Sequence, residues 1–161
     1  MKETKPLDYV AAKEKALRLL EFRSHSEHEL RTKLLHAGAN AGDIDRIMEF
    51  LHEYSLIDDR IYAQRLAADL SNLKKYGSYR IKSELLRRGI SSEICEEVIS
   101  GLDCDEAQML LPLMEKKLGG DFDRKSRDRA FRYFASHGYS FDDIKHAFEE
   151  IAAQSEYEGE E

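Results

Sequence analysis

The sequence of 161 residues contains no tryptophan, only two prolines and two cysteines, and no long apolar run. The lack of an apolar stretch of about 20 residues excludes a helix that crosses a bilayer. The first residues are polar and charged, without the apolar core of a secretory signal, so we expect a cytoplasmic protein. In that reducing compartment, Cys95 and Cys104 are expected to be free thiols.

Motifs for catalysis and for cofactor binding are also missing. There is no glycine-rich phosphate-binding loop, and Gly119 and Gly120 are interpreted as a plain loop. His25 and His28 lie three positions apart at a predicted helix start, but no third ligand of suitable spacing follows, which favours a surface pair over a metal site. No serine–histidine–aspartate or cysteine–histidine arrangement can be named. We therefore expect a protein that is not an enzyme and that needs no cofactor or metal.

An internal repeat is the strongest feature that is present. Gly38, Gly89 and Gly138 each follow an amphipathic stretch, and the intervals between them are 51 and 49 residues. Leucine, alanine, glutamate, lysine and arginine are abundant, which is typical of helical proteins. The sequence therefore predicts an all-α protein of three tandem three-helix modules. Their predicted bounds are 1–57, 58–102 and 103–152, followed by an acidic, disordered tail at 153–161.

Local signals indicate where the helices begin and which faces they bury. Ser26 with Glu29 forms a capping box, and further N-caps are expected at Asp58 or Asp59, at Ser78, at Ser91 or Ser92, and at Ser140. Apolar spacing predicts that the second helices of the first two modules bury the following residues: Leu30, Leu34 and Leu35, and Ile81, Leu85 and Leu86. Pro112 is expected to bend or interrupt its helix, because proline lacks the amide proton.

Charge is distributed unevenly along this acidic chain. The formal net charge is −7, yet residues 60–90 carry eight basic and only two acidic residues. One interpretation is an ordinary solvated helix face with weak pairs such as Arg80 with Glu84. The other is a cationic surface for an acidic partner or for phosphate. The candidate partner-binding residues are Lys74, Lys75, Tyr76, Arg80, Arg87 and Arg88, together with a second basic stripe at Lys125, Arg129 and Arg132.

Several stretches resemble one known family. They are residues 29–38 (ELRTKLLHAG), 57–63 (IDDRIYA), 77–90 (GSYRIKSELLRRGI) and 132–140 (RYFASHGYS). Taken together they are similar to the RecX family, and the likeness extends over residues ~10–152. The most specific part of the likeness is the combination of two motifs, Asp58-Asp59-x-x-Tyr62-Ala63 and Glu84-Leu85-x-x-x-Gly89-Ile90.

The resemblance implies three tandem three-helix modules in an elongated, curved arrangement. It implies a regulator of RecA that binds RecA and the RecA–single-stranded DNA filament and inhibits the recombinase, ATPase and coprotease activities. A monomer with weak direct DNA binding is the accompanying expectation. Two other classes remain open: a DNA-binding protein of the helix-turn-helix type, and a non-catalytic helical interaction scaffold.

Overall fold

The structure is a computed structural model that describes residues 5–160, and over this range it is helical with no strand. The helices are α1 (Tyr9–Phe22), α2 (Glu27–His36), α3 (Ala41–Glu53), α4 (Asp59–Asn72), α5 (Ser78–Arg87), α6 (Ser92–Ser100), α7 (Glu106–Leu118), α8 (Arg124–Ser136) and α9 (Phe141–Glu158). The all-α prediction is confirmed. None of these described helices is long and apolar enough to cross a bilayer.

The helix starts largely follow the cap signals of the sequence. Ser26 accepts the amide of Glu29 at 3.1 Å, and Ser140 accepts the amide of Asp143 at 3.1 Å. Asp58 and Ser91 cap α4 and α6 in the same way. Ser78 is not a cap, because it is the first residue of α5 and its own amide is capped by another side chain. That prediction was wrong because the local pattern cannot show a partner far along the chain.

The three repeated glycines end their helices with the same geometry. Their φ angles are +101° at Gly38, +78° at Gly89 and +95° at Gly138. After each glycine, the next amide returns to the carbonyl five residues earlier, as in the bond from Tyr139 to Phe134 at 3.1 Å. This is the Schellman pattern, which needs a left-handed residue and therefore favours glycine. The repeat in the sequence is thus a repeat of one helix-ending turn.

The described chain falls into two compact units. One gathers the residues up to Leu66 together with Leu85–Val98, and the other gathers Ala67–Glu84 with the residues from Ile99 onward. The division runs through α4, α5 and α6, the three helices of the predicted second module. The three-module boundaries at 57 and 102 therefore remain a prediction.

Each unit has its own apolar core. Leu30, Leu34 and Ile47 are fully buried in the first, and Leu110, Met114 and Phe134 are buried in the second. Leu35 and Leu86, predicted to be buried, are 58 % and 45 % exposed. Adjacent residues of a helix point in directions about 100° apart. Because only a narrow face of each helix packs on the core, Leu34 and Leu85 are buried and the leucine after each lies at the surface.

Three further expectations need correction. Helix α7 runs without interruption through Pro112, whose side chain is exposed. Helix α9 continues to Glu158, so most of the tail predicted to be disordered is helical. Alanine, glutamine and glutamate are good helix formers, and no stop signal occurs before Gly159. His25 is buried rather than part of a surface pair: it is only 3 % exposed.

Candidate partner-binding surface

The start of α5 packs directly on the turn that follows α8, and we call this contact the α5 junction (residues 75–80 against Glu106 and residues 136–139). The amide of Gly77 donates to the carbonyl of His137 at 2.8 Å, and the amide of Tyr79 donates to that of Gly138 at 3.1 Å. A Cβ atom added at Gly77 would lie 2.4 Å from the Gly138 oxygen. Glycine is required on both sides because two backbones approach this closely.

Two side chains complete the α5 junction. Oε1 of Glu106 accepts the amide of Ser78 at 2.6 Å, and the hydroxyl of Tyr139 donates to the carbonyl of Lys75 at 2.6 Å. Burial, with the nearby carboxylate of Glu106, raises the pKa of Tyr139 far above its usual value. Tyr139 is therefore a neutral donor throughout the physiological pH range. Its hydrogen bond to the Lys75 carbonyl does not depend on pH in that range.

The start of α2 makes an equivalent contact, the α2 junction (residues 26–29 against Asp59, Tyr62 and residues 88–89). The hydroxyl of Ser26 donates to the carbonyl of Arg88 at 2.6 Å, and Oδ1 of Asp59 accepts the amide of Glu27 at 2.9 Å. Asp59 and Glu106 occupy equivalent positions. Each is the first residue of the second helix after the one whose start it caps, namely α4 for α2 and α7 for α5. Burial raises the pKa of Asp59, and its bond to the Glu27 amide partly offsets this.

A tyrosine–glutamate–arginine group reinforces the α2 junction. The hydroxyl of Tyr62 donates to Glu29 at 2.5 Å, and the guanidinium of Arg88 donates to Tyr62 at 3.0 Å. Burial acts to raise the pKa of Glu29, but the bonds from Tyr62 and Arg23 outweigh it and lower that pKa overall. Burial also raises the pKa of Tyr62. Arg88, a sequence candidate for partner binding, is thus engaged in this internal network.

Three aromatic rings lie in a row between two cations beside the α5 junction. The Arg80 guanidinium lies 4.8 Å from the ring centre of Tyr76, and that ring meets His137 edge-on at 5.6 Å. His137 stacks on Tyr133 at 4.1 Å, and the ammonium of Lys117 lies 4.0 Å above the Tyr133 ring. We call these five residues the cation–aromatic row. Contacts between cations and ring faces are worth about 0.5–1 kcal/mol when exposed, so the row presents aromatic surface in a defined arrangement.

The structure brings some of the sequence candidates together and separates others. Tyr76 and Arg80 meet in the row, and Lys74 and Lys75 are exposed immediately before it. Arg80 also pairs with Glu84 at 3.2 Å and donates to the carbonyl of Ser136 at 3.2 Å. The pair with Glu84 is the one that the solvated-face interpretation named, and the bond to Ser136 ties Arg80 to the end of α8.

The remaining candidates lie elsewhere. Arg87 is the exposed last residue of α5 and belongs to the other compact unit. Lys125, Arg129 and Arg132 are exposed on α8, and Nε of Arg132 donates to the carbonyl of Asp128 at 3.4 Å. They form a basic stripe, as predicted, on the helix that also supplies Tyr133 to the row.

Sequence reasoning missed three members of the row, namely Tyr133, His137 and Lys117. Tyr133 and His137 are four residues apart on one helix, a spacing that places side chains on the same face. That signal was present in the sequence. Lys117 comes from α7, and no local pattern indicates that it lies over Tyr133.

The chain is similar to known proteins of one family over most of its length. The family model described as "RecX, first three-helix domain" matches residues 12–51, and that of the "RecX, second three-helix domain" matches residues 58–99. A Chlorobium phaeobacteroides protein named "Regulatory protein RecX" is 34 % identical over 139 residues, which cover 84 % of this chain and 90 % of that relative. The chain belongs to the RecX family.

Other RecX relatives extend the same picture. A "Regulatory protein RecX" of Clostridium perfringens is 35 % identical over 141 residues, covering 84 % of this chain and 66 % of the relative. The chain therefore spans about two thirds of that longer protein. The crystal structure of RecX from Lactobacillus salivarius matches with a TM-score of 0.79 at 23 % identity, over 90 % of this chain and 97 % of that one. The RecX resemblance and the tandem three-helix repeat are confirmed.

Proposed function

We propose that this RecX-family protein binds RecA and the RecA–single-stranded DNA filament and inhibits the recombinase, ATPase and coprotease activities of RecA. It acts as a non-enzymatic regulator of DNA repair and of the SOS response, as a cytoplasmic monomer. The observation that carries the proposal is family membership: relatives that align over most of the chain are named regulatory RecX proteins.

The cation–aromatic row is the surface to which we assign the first contact with that partner. Its rings are held by contacts with one another and with Arg80 and Lys117, so little side-chain entropy is lost when a partner covers them. Aromatic and arginine residues on such supports are the usual anchors of protein interfaces. Lys74 and Lys75 add exposed positive charge beside the row in an otherwise acidic protein, which favours steering toward an acidic surface.

RecA's single-stranded-DNA-dependent ATP hydrolysis provides the test. We expect the protein to lower this rate and the double variant Lys74→Glu with Lys75→Glu to lower it less. Arg80 is left unchanged because it supports the α5 junction. The matched control is Lys15→Glu with Arg18→Glu, which reverses the same number of exposed charges on α1. Unchanged ATP hydrolysis at saturating protein would refute the proposed function, and equal loss in both variants would refute the assignment of the surface.

Direct binding to DNA is the competing function, favoured by the basic stripe on α8. The two are separated by salt: a protein that makes several phosphate contacts loses affinity for DNA by orders of magnitude over a modest rise in salt concentration. We expect only weak, salt-sensitive binding to single-stranded DNA without RecA. Tight binding to bare DNA, lost on changing Arg129 and Arg132, would favour the competing function.

A further inference from the structure

A groove between α8 and the start of α9 is separate from the cation–aromatic row. It is lined by Arg127, Asp128, Phe131, Arg132 and Phe141, and its cavity is about 430 Å³. Ligand pockets commonly have volumes of about 300–1,000 Å³, so this groove has room for one or two large side chains. All its residues belong to the second compact unit.

The floor and wall of the groove are aromatic. Phe131 meets Phe141 edge-on at 5.6 Å and Phe148 at 6.0 Å. Phe141 is nevertheless 65 % exposed at the first position of α9. A phenylalanine in this position gains little from the protein's own core, but it would gain apolar burial if a partner's side chain filled the groove.

The rim of the groove is cationic and held in place. The Arg127 guanidinium lies 5.3 Å from the centre of Phe131 and 5.4 Å from that of Phe148. Arg132 donates to a backbone carbonyl of its own helix. Helix α8 carries five basic residues and one acidic residue, Asp128, in a chain whose net charge is −7. Guanidinium groups that are held in this way are suited to bidentate binding of carboxylates.

We propose that this groove docks an acidic peptide segment of a protein partner, with one aromatic or large aliphatic side chain as its anchor. The anchor packs against the exposed surface of Phe141 beside Phe131, and flanking carboxylates pair with Arg127 and Arg132. An acidic peptide fits better than a nucleic acid strand because Arg127 covers a face of Phe131 on which a base would stack. This inference concerns a different surface from the proposed function and does not depend on RecA.

The test uses a fluorescein-labelled synthetic peptide of aspartate, glutamate and glycine with one central phenylalanine, titrated against the full chain by fluorescence anisotropy. We expect saturable binding that weakens about tenfold, equivalent to ~1.4 kcal/mol, in Arg132→Glu and in Phe141→Ser. Lys116→Glu, an exposed charge reversal on α7, is the matched control and should bind like the parent. The peptide with serine in place of phenylalanine should also bind several-fold more weakly.

Circular dichroism and the melting temperature check that each variant is folded. Arg132→Glu is exposed and lies outside the core, so it keeps the test valid if Phe141→Ser unfolds. The proposal is overturned if the peptide shows no saturable binding, or if Lys116→Glu weakens binding as much as Arg132→Glu. It is also overturned if an oligothymidylate binds more tightly than the peptide and is lost in the same variants, because the groove would then be a nucleic acid site.

Discussion

The amide of Ser78 is capped by the carboxylate of Glu106, 28 residues away, with an N–O distance of 2.6 Å. The amide of Glu27 is capped by Asp59 in the same way at 2.9 Å. An acidic group at a helix N-terminus both satisfies an orphan amide and interacts favourably with the helix dipole. The repeat therefore builds helix caps from residues that belong to the next helix group, which ties neighbouring helix groups together.

Loss of this distant cap should destabilise the fold. Glu106→Ala removes the acceptor, and we expect about 1–2 kcal/mol less stability toward urea, as for other N-cap losses. Glu106→Gln keeps an acceptor oxygen and should cost less. Glu115→Ala, an exposed position on the same helix, is the control and should be nearly neutral. Equal stabilities of the Glu106→Ala variant and the parent would show that the bond contributes nothing.

A comparison of two glycines separates backbone strain from steric clash. Gly138 and Gly119 both have positive φ, but a Cβ added at Gly138 meets the Arg80 amide at 2.3 Å, whereas one added at Gly119 meets nothing within 4 Å. Both alanine variants should lose about 1–2 kcal/mol from the left-handed conformation. Gly138→Ala should lose clearly more, measured by thermal and urea unfolding. Similar losses at both sites would argue against the close backbone approach in the α5 junction.

Stability should fall on mild acidification because of His25. Nε2 of His25 lies 2.9 Å from the ammonium of Lys33, which can only donate, so His25 is neutral and its Nδ1–H donates to the Arg23 carbonyl at 2.9 Å. Burial lowers the pKa of His25, and the charges of Arg23 and Lys33 act in the same direction. The unfolded state therefore takes up a proton before the folded state does.

Protonation of His25 on acidification favours the unfolded state. Above the unfolded pKa, about 6.5, both states are neutral at this residue. As the pH falls below that value toward the folded pKa, stability should decrease by up to about 1.4 kcal/mol per pH unit. Urea titrations at several pH values measure the slope, and His25→Gln should flatten it. A slope that is the same in the variant would show that other groups cause it.

Removal of one ring from the cation–aromatic row should affect binding more than folding. Tyr133 is half exposed between His137 and Lys117. For Tyr133→Ser we expect at least about tenfold weaker binding to the RecA filament, a typical effect of losing an interface anchor. Tyr157→Ser, at an exposed position near the end of α9, should bind normally. Normal binding by the Tyr133 variant would remove the row from the interface.

Local parts of the fold could be predicted from the sequence, but distant contacts could not. The caps at Ser26 and Ser140 and the turn at Gly89 depend on neighbouring residues, so their patterns are visible in one dimension. The bond from Ser78 to Glu106 joins distant positions and leaves no periodic trace. Leu86 was predicted to be buried because the apolar period shows the direction in which a helix face points. It does not show how wide a part of that face the neighbouring helices cover.

The candidate site shows the same limit. Charge counting identified Tyr76, Arg80 and the lysines beside them, because composition alone shows an excess of basic residues. It did not separate Arg80, which supports the α5 junction through Ser136, from Lys74, which is exposed. Lys117 joins the row only through the packing of α7 near α8, which the sequence does not specify.

The most direct measurement is binding of the protein to RecA filaments assembled on immobilised single-stranded DNA, followed by biolayer interferometry at low and moderate salt. We expect saturable binding that exceeds binding to the bare DNA. We also expect a slower association rate for Lys74→Glu with Lys75→Glu, most clearly at low salt, where charges are screened least. Binding to the filament that is no stronger than to bare DNA would contradict the account.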